Sequence, residues 1–182
     1  MTWPGYAKPE EYIVDVGLIT VGGIAEAWGA TVGGLKWDAG KEVRGVTFDG
    51  KSSEIVGLQR TIKYDAKLSG KVKRGGPSFI MDIEPGSESD GSSGSDGNVV
   101  TLLDARTPWE EGDYLADVYY IGRQEDEQIM YVHFPFAYVS KYSLQTKDND
   151  EAEWDIELVP CLGEDETNIN TIPFTYGFVA DA

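Results

Sequence analysis

The chain has 182 residues, 41% of them apolar, and its 5 Trp, 10 Tyr and 6 Phe are enough to build the core of one domain. Its formal net charge is −17 and unevenly spread: residues 1–80 carry 11 Lys+Arg against 9 Asp+Glu, residues 81–182 carry 4 against 23. That sign repels free nucleic acid and anionic membranes, no apolar run approaches the ~20 residues of a membrane span, and a single Cys with a single His leaves little room for disulfide, metal or nucleophile chemistry.

The 22 glycines and 8 prolines punctuate short apolar runs, which predicts an all-β fold with at most one short helix. Met1 to Glu10 lacks a basic segment followed by an apolar one, so no secretory signal is expected, and the lone cysteine fits synthesis in the cytosol. Tyr12 to Thr20 reads as the first strand, followed by Gly22-Gly23. Thr31 to Trp37 and Glu42 to Phe48 are short strands, and Asp49-Gly50 is a hairpin dipeptide tolerant of positive φ. Thr61 to Lys73 alternates strictly: Ile62, Tyr64, Ala66, Leu68, Gly70 and Val72 against a Lys-rich opposite face, which predicts one strand with a buried and a wet side. Phe79 to Glu84 fits either a strand or a helix.

Residues 85–98, rich in Ser, Gly and Asp, are expected to be a mobile loop, an insertion within a single domain spanning 1–182. Tyr114 to Gly122, Gln128 to Tyr138 and Ser140 to Thr146 are predicted strands, with a polar turn at Arg123 to Glu127 and another at Lys147 to Asp150. In Glu153 to Cys161, Trp154, Ile156 and Leu158 alternate with Glu153, Asp155 and Glu157, giving one apolar face and a row of three carboxylates. The remainder, 163–182, is an acidic C-terminal extension with no expected role beyond exposure.

Few motifs carry chemistry. His133 lies in an aromatic run without a nucleophile pattern and reads as a packed or interface histidine. Cys161 ends an apolar strand and reads as a small buried hydrophobe. With 32 acids, a pair spaced like a glycosidase's arises by chance. Asp148 to Glu151 and Asp90 to Asp96 resemble calcium loops in composition but not in spacing, so solvated turns are expected. The Gly-Gly pieces lack the Gly-Lys-Ser/Thr ending of phosphate loops. No catalytic residue, cofactor or metal is therefore assigned. Lys63, Lys67, Lys71 and Lys73 form a basic face without interleaved aromatics. It is better suited to meeting an acidic patch on another copy than to nucleic acid.

The run Trp28-Gly29-Ala30-Thr31-Val32-Gly33-Gly34-Leu35-Lys36-Trp37-Asp38-Ala39-Gly40 leads into Arg44-Gly45-Val46-Thr47-Phe48-Asp49-Gly50. Val56-Gly57-Leu58-Gln59-Arg60, Lys63 to Gly70 and Tyr142 to Trp154 follow in order. Together these diffuse strand-and-turn patterns, over about Val14 to Leu162, resemble the major tail proteins (tail tube proteins) of long-tailed bacteriophages with non-contractile tails. The resemblance implies a β-sandwich or barrel-like subunit whose sheets join between copies. Such subunits form hexameric rings that stack into a tube around a tape-measure protein, bounded by tail tip and terminator proteins. The assembled tube belongs to the virion tail, is built in the host cytoplasm, and passes double-stranded DNA without binding it specifically or touching a membrane. On that reading Glu153, Asp155 and Glu157 are candidate lumen acids, because an acidic wall repels phosphates. Val46, Phe48, Asp49, Gly50, Lys51 and Glu54 become the candidate ring-stacking loop. Two other classes stand beside it: a monomeric β-sandwich binding module of carbohydrate-binding type, marked by exposed aromatics, and an acidic hydrolase, marked by a cleft with a carboxylate pair.

Overall fold

The alternation at Glu153–Cys161 becomes the middle of a curled antiparallel sheet, in which Ile156 and Leu158 point into the core and are almost fully buried. A computed structural model describes residues 17–23, 27–45, 57, 59–91, 99–104, 106–123, 128–146, 151–163 and 171–180. Over these the strands are β1 (Leu18–Thr20), β2 (Ala30–Asp38), β3 (Lys41–Gly45), β4 (Gln59–Tyr64), β5 (Lys67–Lys73), β6 (Glu88–Ser89), β7 (Val100–Thr101), β8 (Leu115–Arg123), β9 (Gln128–Gln145), β10 (Glu153–Cys161) and β11 (Thr175–Ala180). One helix, α1 (Pro77–Ile83), follows β5, and a 3-10 turn, Glu111–Asp113, precedes β8. No helix among the described residues is long and apolar enough to cross a membrane.

The main sheet runs β1-β8-β9-β10-β5-β2, with β11 also paired to β9. Strand β9 spans both halves: Phe136 to Gln145 pairs with β10, and Gln128 to His133 pairs with β11. The curl brings β1 back toward the start of β2, where Thr31 Oγ1 donates to the Gly17 carbonyl at 2.8 Å and the Trp28 amide donates to the Ile19 carbonyl at 2.7 Å. Helix α1, started by Pro77 where a missing N–H costs nothing, buries Phe79 and Ile83 in the same core cluster as Val72 and Ile156. Trp28 and Trp154 flank the Phe79 ring at 5.1 and 5.6 Å. Beneath that layer, Trp28 Nε1 donates to Asp82 at 2.8 Å and Arg74 reaches the same carboxylate at 3.3 Å. At the other end of the sheet Phe174 packs edge-on against Trp37 and Tyr64 at 5.0 and 5.3 Å.

Several expectations change. The alternation at Thr61 to Lys73 spans two strands, because the β2–β5 ladder turns a corner before continuing as the separate β3–β4 hairpin. Gly40 makes that corner: its φ is 54°, its carbonyl accepts the Asp65 amide at 3.0 Å, and a side chain there would collide with the Asp65 backbone. Ala66, Leu68 and Val72 stay buried as predicted, whereas Ile62, beyond the corner, is 46% exposed.

Residues 128–138 and 140–146, expected as two strands, form one, because a bulge opposite Glu157 and Leu158 absorbs the break in alternation. Asp117, at φ 48° and across from Pro135, marks a second turn of the strand faces. Burial passes there from Leu115 and Ala137 to Val118 and Phe134. Phe79 to Glu84 resolves as helix over its first five residues. The C-terminal extension does more than stay exposed, since Phe174 is a core residue and β11 joins the sheet. Its β-pattern is short and overshadowed in sequence by the acidic residues before it.

Candidate assembly surfaces

The acidic row and the basic face lie on the same side of adjacent strands. The register sets Lys71 opposite Asp155 and Ser69 opposite Glu157, and the long Lys side chains reach diagonally. Lys67 Nζ lies 3.2 Å from Glu157, Lys71 Nζ 3.1 Å from Glu153, and Lys73 Nζ 3.1 Å from Glu151. Lys63, on the hairpin, pairs across strands with Glu42 at 3.6 Å. The cations expected to meet acids on a neighbouring copy thus meet them within their own chain, which sequence could not show because Lys71 and Glu153 are 82 positions apart and Lys67 and Glu157 are 90. Ser140, from the β9 bulge, also donates to Glu157 at 2.9 Å, and that bond together with Lys67 holds the Glu157 carboxyl below its ordinary value. Glu153 is nearly buried, while Asp155 is exposed and has no ion pair among the described residues.

The β3–β4 hairpin has the opposite character. Val46, Phe48, Asp49, Gly50, Lys51 and Glu54 lie outside the described residues, so the hairpin is seen from its base. There Arg44 and Arg60 stand directly opposite each other, both exposed, with no carboxylate partner among the described residues. Like charges facing across two strands oppose pairing. Val43 and Ile62 are 50% and 46% exposed on the same hairpin. A groove of about 490 Å³ separates β4 from Thr171, Ile172 and Pro173.

A third feature was not foreseen. Trp109, Tyr114 and Tyr138 form a three-ring cluster with centroids 5.6 to 6.2 Å apart and interplanar angles of 62° to 87°. Trp109 is 40% exposed, and Glu110 and Glu111 follow it into the 3-10 turn. Trp109 and Tyr114 are close enough in sequence to suggest a cluster; Tyr138 joins only through the pairing of β8 with β9.

His133 is packed as expected: its ring stacks on Tyr119 at 4.4 Å, and Nε2 lies 3.1 Å from Asp117 Oδ1. Cys161 is half-buried, and burial pushes its thiol up to about 11. Among the described residues no group of three or more His, Cys, Asp and Glu side chains is arranged to hold a metal ion. No protein-family model matches the chain, and no curated protein matches it.

Proposed function

We infer that this chain is a structural subunit that assembles with copies of itself into stacked hexameric rings. Those rings would form the tail tube of a long-tailed phage, the conduit through which the genome leaves. The observation that carries the reading is the hairpin beyond the Gly40 corner, with its apolar Val43 and Ile62 exposed and its Arg44 and Arg60 facing each other with no carboxylate partner among the described residues. An isolated monomer gains nothing from presenting such a ribbon, whereas a neighbouring copy can cover the apolar residues and supply acids. The curled sheet supports the same reading, since among the described residues β2 pairs with a strand only on its β5 side, and past Thr31, where β1 lies close, its other edge is open to a partner.

Within this reading Asp155 is the best remaining lumen acid of its row, because Glu153 and Glu157 are neutralised by lysines. Tape-measure, tip and terminator proteins would contact the tube, and DNA would pass without specific binding. Negative-stain electron microscopy with light scattering over a concentration series tests the assembly: hollow rings or tubes of uniform width are expected. A protein that stays monomeric at every concentration and fails to enter tubes when tails are reconstituted would refute it.

A binding module of carbohydrate-binding type is favoured by one observation, the partly exposed Trp109 with Tyr114 and Tyr138. Its test is a change in tryptophan emission on adding oligosaccharides.

A further inference from the structure

We propose that the Arg44–Arg60 pair of one copy docks on the Trp109–Tyr114–Tyr138 ring cluster of the next copy, with Glu110 and Glu111 accepting the guanidinium hydrogen bonds. This rests on the assembly reading and names the two surfaces that meet. Each half is incomplete alone. On the hairpin, two guanidiniums oppose each other across the ladder, and among the described residues no carboxylate pairs with either, Glu42 being taken by Lys63. At the ring cluster, Glu110 and Glu111 are exposed and take no cation among the described residues; the Glu110 carboxylate also accepts the Asp113 amide, capping the 3-10 turn, and keeps further acceptor capacity for a guanidinium.

The chemistry of the two halves matches. Aromatic faces attract cations, arginine above all, because a planar guanidinium stacks on a ring while its N–H groups stay free to reach acids in the ring plane. The chain already uses this arrangement internally: the Arg74 guanidinium sits 5.6 Å over the Phe79 ring while bonding Asp82 at 3.3 Å. A neutral sugar would prefer rings presented side by side as a platform. These three are inclined by 62° to 87° and bordered by acids, which suits a cation instead.

The contact is heterologous, a hairpin on one copy and a ring cluster on the other, so it propagates from copy to copy. That property allows a complementation test in the full-length protein. Arg44→Glu/Arg60→Glu removes the hairpin half; Trp109→Ala/Glu110→Lys/Glu111→Lys removes the receiving half. Circular dichroism verifies that both variants are folded, and sedimentation velocity follows association. Each variant alone should associate about tenfold or more weakly than the unmodified chain. The mixture should recover a one-to-one complex, through the intact hairpin of one variant and the intact ring cluster of the other, and raising salt should weaken it.

Two folded variants that fail to complement would overturn the proposal. So would an Arg44→Glu/Arg60→Glu variant that associates like the unmodified chain, while leaving the assembly reading intact. If the unmodified chain itself never associated, the assembly reading would fall first. As an independent probe, N-acetyl-arginine amide should change the Trp109 contribution to emission in the hairpin variant, identified against Trp109→Phe. A response to methyl glucoside in its place would overturn the proposal in favour of a sugar site.

Discussion

Lys67 and Glu157, 90 positions apart in sequence, close a 3.2 Å ion pair between β5 and β10, and Ser140 donates to the same carboxylate from β9. One carboxylate thus ties three strands together on the outer face of the sheet. The pair is partly solvated, so its worth is that of a surface interaction, about 1 kcal/mol or less. Lys67→Met should lower stability at pH 7 by that amount. The folded carboxyl titrates below the unfolded value of 4.5. Its contribution is therefore complete above that pH and is lost as pH falls through the folded value. Urea melts of both proteins at pH 7 and pH 3 check this, the difference between them shrinking in acid.

Glu153 and Asp155 should respond differently to charge reversal, although they are two residues apart on one face. Glu153 is 7% exposed and 3.1 Å from Lys71, so Glu153→Lys sets two ammonium groups together in a nearly buried site and should cost about 3–5 kcal/mol. Asp155→Lys is exposed, and although it sets a lysine opposite Lys71 it should cost only about 1 kcal/mol or less. Thermal melts separate the two. Asp155→Lys is consequently the variant in which slowed DNA release from assembled tails tests the lumen assignment; normal release would refute it.

Gly40→Ala should strain the corner between sheet and hairpin. The residue sits at φ 54° against the Asp65 backbone, so the cost should be about 1–3 kcal/mol with the hairpin displaced. Denaturation reports the first effect and protease sensitivity near Gly45 the second. A stability equal to that of the unmodified chain would show that the corner is not held as described.

Phe79→Ala removes the fully buried ring between Trp28 and Trp154 and should cost about 3–5 kcal/mol. Helix α1 has only seven residues and no side-chain cap, so its order depends on this packing. Tryptophan emission should shift to the red as Trp28 and Trp154 gain water.

Cys161 should react slowly with thiol reagents at pH 8 in the folded protein and rapidly in urea. The thiol titrates near 9.0 when solvated and about 11 when folded. The unfolded chain therefore loses its proton first, and stability falls as pH rises from the lower value to the higher. Labelling kinetics with an aromatic disulfide measure the protection.

The sequence alone determined the fold class and the strands that become the sheet centre. Period-two alternation at 67–73 and 153–161 is a local property that separates an apolar face from a polar one. It also determined the charge asymmetry, while His133 it left as packed or at an interface. It could not determine which strands are neighbours, and every surface property depended on that. Placing β5 beside β10 converted a basic face and an acidic row into ion pairs, leaving Asp155 solvated. Pairing β8 with β9 brought Tyr138 to Trp109 and Tyr114. The Gly40 corner moved Ile62 from the expected core to an exposed hairpin, because alternation continues through a corner although the sheet that would cover the side chain does not. Alternation assigns a residue to a face; whether that face meets the core, a lysine or water is decided by strand order, which arises from long-range packing.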